Sequence, residues 1–274
     1  MMKPLIKVKA LTRIYDTSQN VIAGIKDVSF EVREGELVGI IGRSGCGKTT
    51  LLRCIAGFEK SDSGEIFLDG KRVSGPGPDR FMVFQGLDQL FPWLTVKGNL
   101  IFAMKTVNKD MTPKELRERA EYFLELVGLS AWADRYPYQL SGGMKQRAFL
   151  ARALSVSPRV LLMDEPFGSL DAFGRKAMQD LLLKLWEKTG ITILFVTHDI
   201  DECIKLSDKI LVFARGTLKY SIYNPLPRPR MVEDAAYREF LAKLSRMVEE
   251  EKDIAEGPAR EPSINLKWAD VILQ

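Results

Sequence analysis

Between Leu37 and Thr50 the chain reads LVGIIGRSGCGKTT, an apolar run that empties into a glycine-rich turn ending in Lys48 and Thr49. Leu37, Val38, Ile40 and Ile41 predict a buried strand, Gly42 to Gly47 a turn, and Lys48 onward through Leu51, Leu52 and Ile55 a helix. This order suits a phosphate. Glycines let successive main-chain N–H groups point inward at an anion, and the following helix adds the partial positive charge of its N-terminus. In such a loop Lys48 reaches the β and γ phosphates, and the Thr49 hydroxyl ligates Mg2+. The pattern's four fixed positions arise by accident in roughly one chain of this length in a hundred. The flanking strand and helix make accident rarer still.

The rest of the chain is expected to build an α/β fold around this loop. IKVKALTRIY and VIAGIKDVSFEV, from Ile6 to Val32, are β-rich pieces either side of a polar DTSQN turn, and predict an antiparallel β-subdomain that Gly64 to Leu68 and the turn Asp69-Gly70 continue. Tyr15 closes the first piece. Taken alone it reads as a strand tyrosine, although an aromatic there could stack on a nucleotide base. GPGPDR breaks the β pattern, and FMVFQ follows as a predicted central strand ending in Gln85, at the sheet edge where open α/β sheets bind ligands. LFPWLTVKGNL is apolar and aromatic around Pro92. Thr112 to Leu129 then has a helical period, with Thr112 as N-cap, Pro113 at the first helical position, and Leu116, Ala120, Phe123, Leu124 and Val127 on one face. This predicts a helical insertion spanning about residues 87–150.

Further on, LSGGMKQR leads into a helix, and a Ser-Gly-Gly turn at a helix start is a second anion-binding device. VLLM is a buried strand that stops at Asp164 and Glu165, where Asp164 can hold Mg2+ and Glu165 can polarise a water. A helix from Arg175 to Glu187 precedes another buried strand, Ile191 to Val196, which ends in Thr197, His198 and Asp199. His198 is the chain's single histidine and lies on the same expected edge as Gln85 and Asp164, where its ring could donate to a γ phosphate. Strands at Lys209 to Val212 and Thr217 to Ile222 close the sheet. PLPRPR then predicts a stiff, extended linker, Val232 to Glu251 an amphipathic helix, and Gly257 to Gln274 little pattern.

Taken together, GRSGCGKT, the Gln85 strand, LSGGM, VLLMDEP, SLD and the TH pair occur in one order, and over about Ile6 to Ile222 the chain resembles the ATP-binding cassette family. The resemblance implies a P-loop NTPase with a RecA-like core, in which residues 1–222 form the ATPase domain and 223–274 a C-terminal linker and helical extension. It implies a head-to-tail homodimer with ATP held between one protomer's phosphate loop, Gly42, Arg43, Ser44, Gly45, Cys46, Gly47, Lys48, Thr49 and Thr50, and the other's Ser141, Gly142 and Gly143. Tyr15 becomes the adenine-stacking residue, Glu165 the general base and His198 the γ-phosphate sensor. Gln85 becomes a Mg2+ and water contact, with Thr49 and Asp164 the other metal ligands, and Asp171 part of the inter-protomer loop.

LFPWLTVKGNL, EPFGSLDAF, THDIDE and the late LPRPR are similar to importers of nitrate, sulfonate, taurine and related small solutes. That implies an energy-coupling ATPase with integral membrane permease subunits and a solute-binding protein, peripheral at the cytoplasmic face of the membrane. Composition agrees. No apolar run approaches the roughly 18 residues needed to span a bilayer, so any membrane role is expected through a partner. Trp93 is expected to dock a short helix of that partner, while Phe91 and Leu94 could equally belong to the core of the insertion. The net charge of +4 is spread along the chain, which does not indicate nucleic acid. A soluble cassette ATPase acting on nucleic acid or ribosomes is the alternative, and a nucleotide-binding regulator without turnover is disfavoured because Lys48, Asp164, Glu165 and His198 are all present. Cys46, Cys54 and Cys203 lack paired or metal-ligand spacing and read as reduced thiols. The place of Cys46 in the loop predicts that a bulky thiol adduct clashes with phosphate and that bound ATP protects it.

Overall fold

A computed structural model describes residues 3–17, 20–86 and 89–249. Strands β1 (Ile6–Thr17) and β2 (Asn20–Val32) pair antiparallel. The phosphate-loop strand β3 (Leu37–Ile41) and helix α1 (Lys48–Ala56) come next, then β4 (Ser63–Leu68) and the short β5 (Lys71–Arg72). The sheet order β2-β1-β4-β5 makes the antiparallel subdomain. Its inner face, with Ile6, Val8, Val28 and Ile66, shares a core with Leu51, Leu52 and Ile55 of α1.

After β6 (Arg80–Val83), helices α2 (Val96–Val107), α3 (Pro113–Leu126) and α4 (Gly142–Ser155) form the insertion. The chain then alternates: β7 (Val160–Asp164), α5 (Ala172–Thr189), β8 (Thr192–Thr197), α6 (Ile200–Leu206) and β9 (Lys209–Ala214), with β10 (Thr217–Tyr223) and α7 (Ala235–Glu249) at the end. The second sheet has the order β10-β9-β3-β8-β7-β6, parallel except for β10.

Strand periodicity explains why these strands read as unbroken apolar runs. Val160 and Leu162 of β7 face the core shared with α1, whereas Leu161 and Met163 face the core shared with α2 to α5; Leu194 and Val196 of β8 divide from Ile193 and Phe195 in the same way. Both faces are buried, so no polar alternation remains. The same effect accounts for one correction. The strand before Gln85 is not central: β6 is the sheet's edge strand and stops at Val83. Met82 packs into one core and Val83 into the other, which makes an edge strand look central in sequence.

Helices also differ from the sequence expectation. No helix is predicted at 96–107, yet α2 forms there, with Thr95 as N-cap accepting a hydrogen bond from the Gly98 N–H at 3.0 Å. Helix α5 starts three residues early because Asp171 caps it, accepting from the Gly174 N–H at 2.7 Å. In α3 the expected Thr112 cap is present as a full capping box with Glu115.

The PLPRPR segment runs back along α6, where Arg230 donates to the carbonyls of Ile204 at 2.9 Å and Ser207 at 2.8 Å. Helix α7 then buries Tyr237, Phe240 and Leu244 against Ile204, Ile210 and Val212. The expected end of this last helix at Glu251, and the weak pattern of Gly257 to Gln274, lie outside the described residues, as does Leu87 at the expected start of the insertion.

Candidate nucleotide site

Strand register decides which residues meet. Ile41 pairs with Thr197, Asp164 with Val196, and Val83 with Met163, so the chain leaves β3, β8, β7 and β6 at one edge of the sheet. The residues that follow, Gly42, His198, Glu165 and Gln85, therefore gather there.

In the loop itself, Gly45 and Gly47 take φ of 77° and 101°, in the left-handed region that favours glycine. A β-carbon on Gly47 would stand 1.9 Å from the Gly24 carbonyl oxygen, and one on Gly42 2.2 Å from that of Phe213. The loop thus needs glycine for space as well as for conformation. Gly47 opens α1 with no side-chain cap, which leaves the first-turn N–H groups free of a side-chain partner. Lys48 is buried, and its Nζ donates to the Gly42 and Arg43 carbonyls at 2.7 and 2.8 Å. Its charge is held inside the loop by the loop's own oxygens.

Thr49 of α1 donates its hydroxyl to Asp164 Oδ1 of β7 at 3.0 Å. Asp164 is buried, and burial, with Glu165 adding repulsion, raises its carboxyl above the usual carboxylate range. Two hard oxygens, one on a carboxylate that burial destabilises, are a donor set that fits Mg2+. Glu165 comes next with φ of 45°, in the left-handed region although it is not glycine. Its N–H donates to the Val196 carbonyl at 3.1 Å. That conformation turns the side chain to the sheet edge, where Oε2 accepts from Gln85 Nε2 at 3.3 Å and Oε1 lies 3.5 Å from His198 Nδ1. All three residues assigned to catalysis thus share one spot, drawn from three separate strand ends.

Tyr15 is half-buried beside the loop, its hydroxyl paired with Thr50 Oγ1 at 3.2 Å and its ring under the Arg13 guanidinium at 5.0 Å. Burial first, with a hydrogen bond to Glu59, pushes its hydroxyl up to about 12. Cys46 is buried, and its sulfur accepts from Lys48 Nζ at 3.8 Å, beside the loop's lysine. Burial raises its pKa, against the opposing effect of Lys48.

Ser141 caps α4, accepting from the Met144 N–H at 3.4 Å. Helix α4 packs into the core on the opposite face of the sheet from α1, and among the described residues no hydrogen bond links Ser141, Gly142 or Gly143 to the phosphate loop. One chain does not unite the two anion-binding turns. Nearby, Leu90 is buried and Phe91 and Leu94 are half-buried, while Trp93 is 67% exposed, with the Phe91 ring 5.3 Å from it and 5.1 Å from that of Phe102.

Sequence reasoning missed the residue that shapes this surface. Buried Asn99 accepts from the Phe91 N–H at 2.8 Å and donates to the carbonyls of Phe91, Leu94 and Thr95. The only signal was a lone amide between the apolar residues Val96 and Leu100.

Residues 25–168 match the profile of the family described as ABC transporter, and the chain belongs to that family. The fold is that of its ATP-binding, ATP-hydrolysing cassette. Among relatives, the nitrate import ATP-binding protein NrtD of Synechococcus elongatus is 42% identical over 232 residues, 82% of this chain and 84% of that one. The bicarbonate transport ATP-binding protein CmpD of the same species is 41% identical over 241 residues, 85% and 86% of the two chains. A solved dimeric, post-hydrolysis state of an ATP-binding cassette bound to ADP and phosphate superposes with a TM-score of 0.71 at 31% identity, covering 81% of this chain and 100% of that one. Among the described residues no helix is long and apolar enough to cross a membrane.

Proposed function

We propose that this protein powers a membrane importer for a small oxyanion of the nitrate or bicarbonate kind, hydrolysing ATP at two composite sites of a homodimer. The observation that carries this reading is the division of the site. Lys48, Thr49, Asp164, Glu165, His198 and Gln85 converge on one sheet edge, while the Ser141 turn lies across the sheet on α4. A second copy, turned head to tail, supplies its Ser141, Gly142 and Gly143 to this chain's loop. The dimeric neighbour and the import relatives support it.

Phosphoryl transfer to water asks for positioning and charge stabilisation more than for covalent chemistry. The loop N–H groups from Gly42 to Thr50 cradle the phosphates, Lys48 leaves its carbonyl partners for them, and Tyr15 stacks on the base. Thr49, Asp164 and Gln85 would hold Mg2+, which would supply charge neutralisation for the phosphates. Glu165 takes the proton of the attacking water, oriented through Gln85, and His198 donates to the γ phosphate. Residues 1–222 act as the ATPase unit and 223–274 as a C-terminal extension, of which α7 packs against α6 and β9.

Two integral permease subunits and a solute-binding protein complete the importer, and the cassette sits peripherally at the cytoplasmic face of the membrane. Trp93 is its docking residue: a large ring left in water is costly unless a partner covers it, and aromatic anchors dominate such contacts. Co-expression with the permease genes tests this. The protein should reach the membrane fraction only with the permease present, and Trp93→Ala should cut that recovery about tenfold or more while keeping the melting temperature, since hot-spot aromatics contribute 2 kcal/mol or more. Recovery with ribosomes or DNA, or unchanged membrane recovery of the folded variant, would overturn it.

A further inference from the structure

Behind His198 lies a buried carboxylate that the hydrolytic roles above do not use. Glu202, on the first turn of α6, is 5% exposed. Its Oε2 accepts from the Thr197 hydroxyl at 2.6 Å, and its Oε1 accepts from Gln179 Nε2 of α5 at 3.3 Å. Arg175, also on α5, places Nε 3.7 Å from Glu202 Oε1 and Nη1 3.6 Å from Asp199 Oδ2, while its Nη2 donates to the Leu170 carbonyl at 3.5 Å. The Thr197 oxygen in turn accepts from the Asp199 N–H at 3.0 Å, and Asp199 caps α6 through the N–H groups of Asp201 and Glu202. His198 is therefore bracketed by two residues, Thr197 and Asp199, that answer to one buried network. The network's other end is Leu170, the residue before Asp171. A cavity of about 40 Å3 lies between it and the Glu165–His198 pair.

We infer that Glu202 is a positioning residue that fixes His198 against the start of α5, so that the γ-phosphate contact and the Asp171 loop hold one relative placement. The chemistry favours a role beyond filling space. A buried carboxylate is costly unless paired, and an apolar residue would fill the position without that cost. Burial raises the Glu202 carboxyl, Asp199 adds to the rise, and Thr197, Arg175 and Gln179, the partners that link the two elements, oppose it. Arg175 reaches Glu202 only at ion-pair distance, its buried Nε without a hydrogen bond among the described residues. The link is thus a charge contact that a neutral isostere cannot replace.

The inference rests on the reading of His198 as a γ-phosphate contact, and ATPase kinetics of the full chain test the two separately. Glu202→Gln keeps the shape and removes the charge. It should lower kcat about ten- to a hundredfold, the scale of a roughly 1 Å misplacement, with KM for ATP and the affinity for a fluorescent ATP analogue within twofold of wild type. Thr197→Val cuts the same link, so the double variant should lose no more than the worse single one. Wild-type kcat in folded Glu202→Gln, or losses that multiply in the double variant, overturns the proposal. Should Glu202→Gln not fold, Arg175→Gln, at a side chain 38% exposed, carries the test and must show the same fall in kcat at unchanged KM. Inactive His198→Ala beside normal Glu202→Gln refutes the positioning role alone; full turnover in His198→Ala removes the ground of both.

Discussion

Lys48 and Asp164 are both buried charges at the site, and they are satisfied in opposite ways. The ammonium has two carbonyls within 2.8 Å, whereas among the described residues the carboxylate accepts from a single hydroxyl, which leaves the acid room for a cation. The sequence made both visible, because a strand that ends in acids and a loop that ends in lysine are local patterns. The direction of a side chain is not local. The sequence places Cys46 in the loop but not its sulfur, which is buried beside Lys48 with its thiol raised by burial, and Cys54 and Cys203 are buried with thiols pushed up to about 12. Thiolate is the reactive form, so raised values slow every thiol reagent. The native protein should therefore resist an aromatic disulfide reagent at pH 8 with or without ATP, and release three equivalents on unfolding. Rapid labelling of one thiol in the native state, blocked by ATP, would show instead that Cys46 is open to reagent and shielded by nucleotide.

At the scale of elements, the capping box of α3 was legible because Thr112, Pro113 and Glu115 lie within four residues of one another. Helix α2 was not. Val96 and Gly98 are poor helix formers, and the helix owes its place to Asn99, whose amide closes the loop from Phe91 to Thr95 through three-dimensional contacts. Removing that amide takes the side-chain partner from the half-buried Phe91 N–H and Leu94 carbonyl, at about 1–3 kcal/mol for each group left unsatisfied. Asn99→Ala should thus lower unfolding free energy in urea by about 2 kcal/mol or more. A loss below about 0.5 kcal/mol, the range of ordinary surface substitutions, would show that water replaces the amide freely.

The edge placement of β6 was illegible for a related reason. Burial on both faces writes an apolar run, and nothing in a run says whether its hydrogen-bonding edge has one neighbour or two.

In the whole molecule, the meeting of Gln85, Glu165 and His198 follows from parallel strands that end in register, so their convergence was readable once each was placed after a strand. The Ser141 turn has no such partner within the chain, and a second protomer is what the account supplies. On the proposed mechanism Glu165 is the residue that separates closure from turnover. Sedimentation velocity of Glu165→Gln with ATP and Mg2+, read beside phosphate release, tests the composite site most directly. A shift from monomer to dimer on adding ATP, with hydrolysis reduced at least a hundredfold, the scale of losing one preorganised catalytic group, is the predicted result; turnover close to wild type, or a species that stays monomeric with ATP bound, would contradict it.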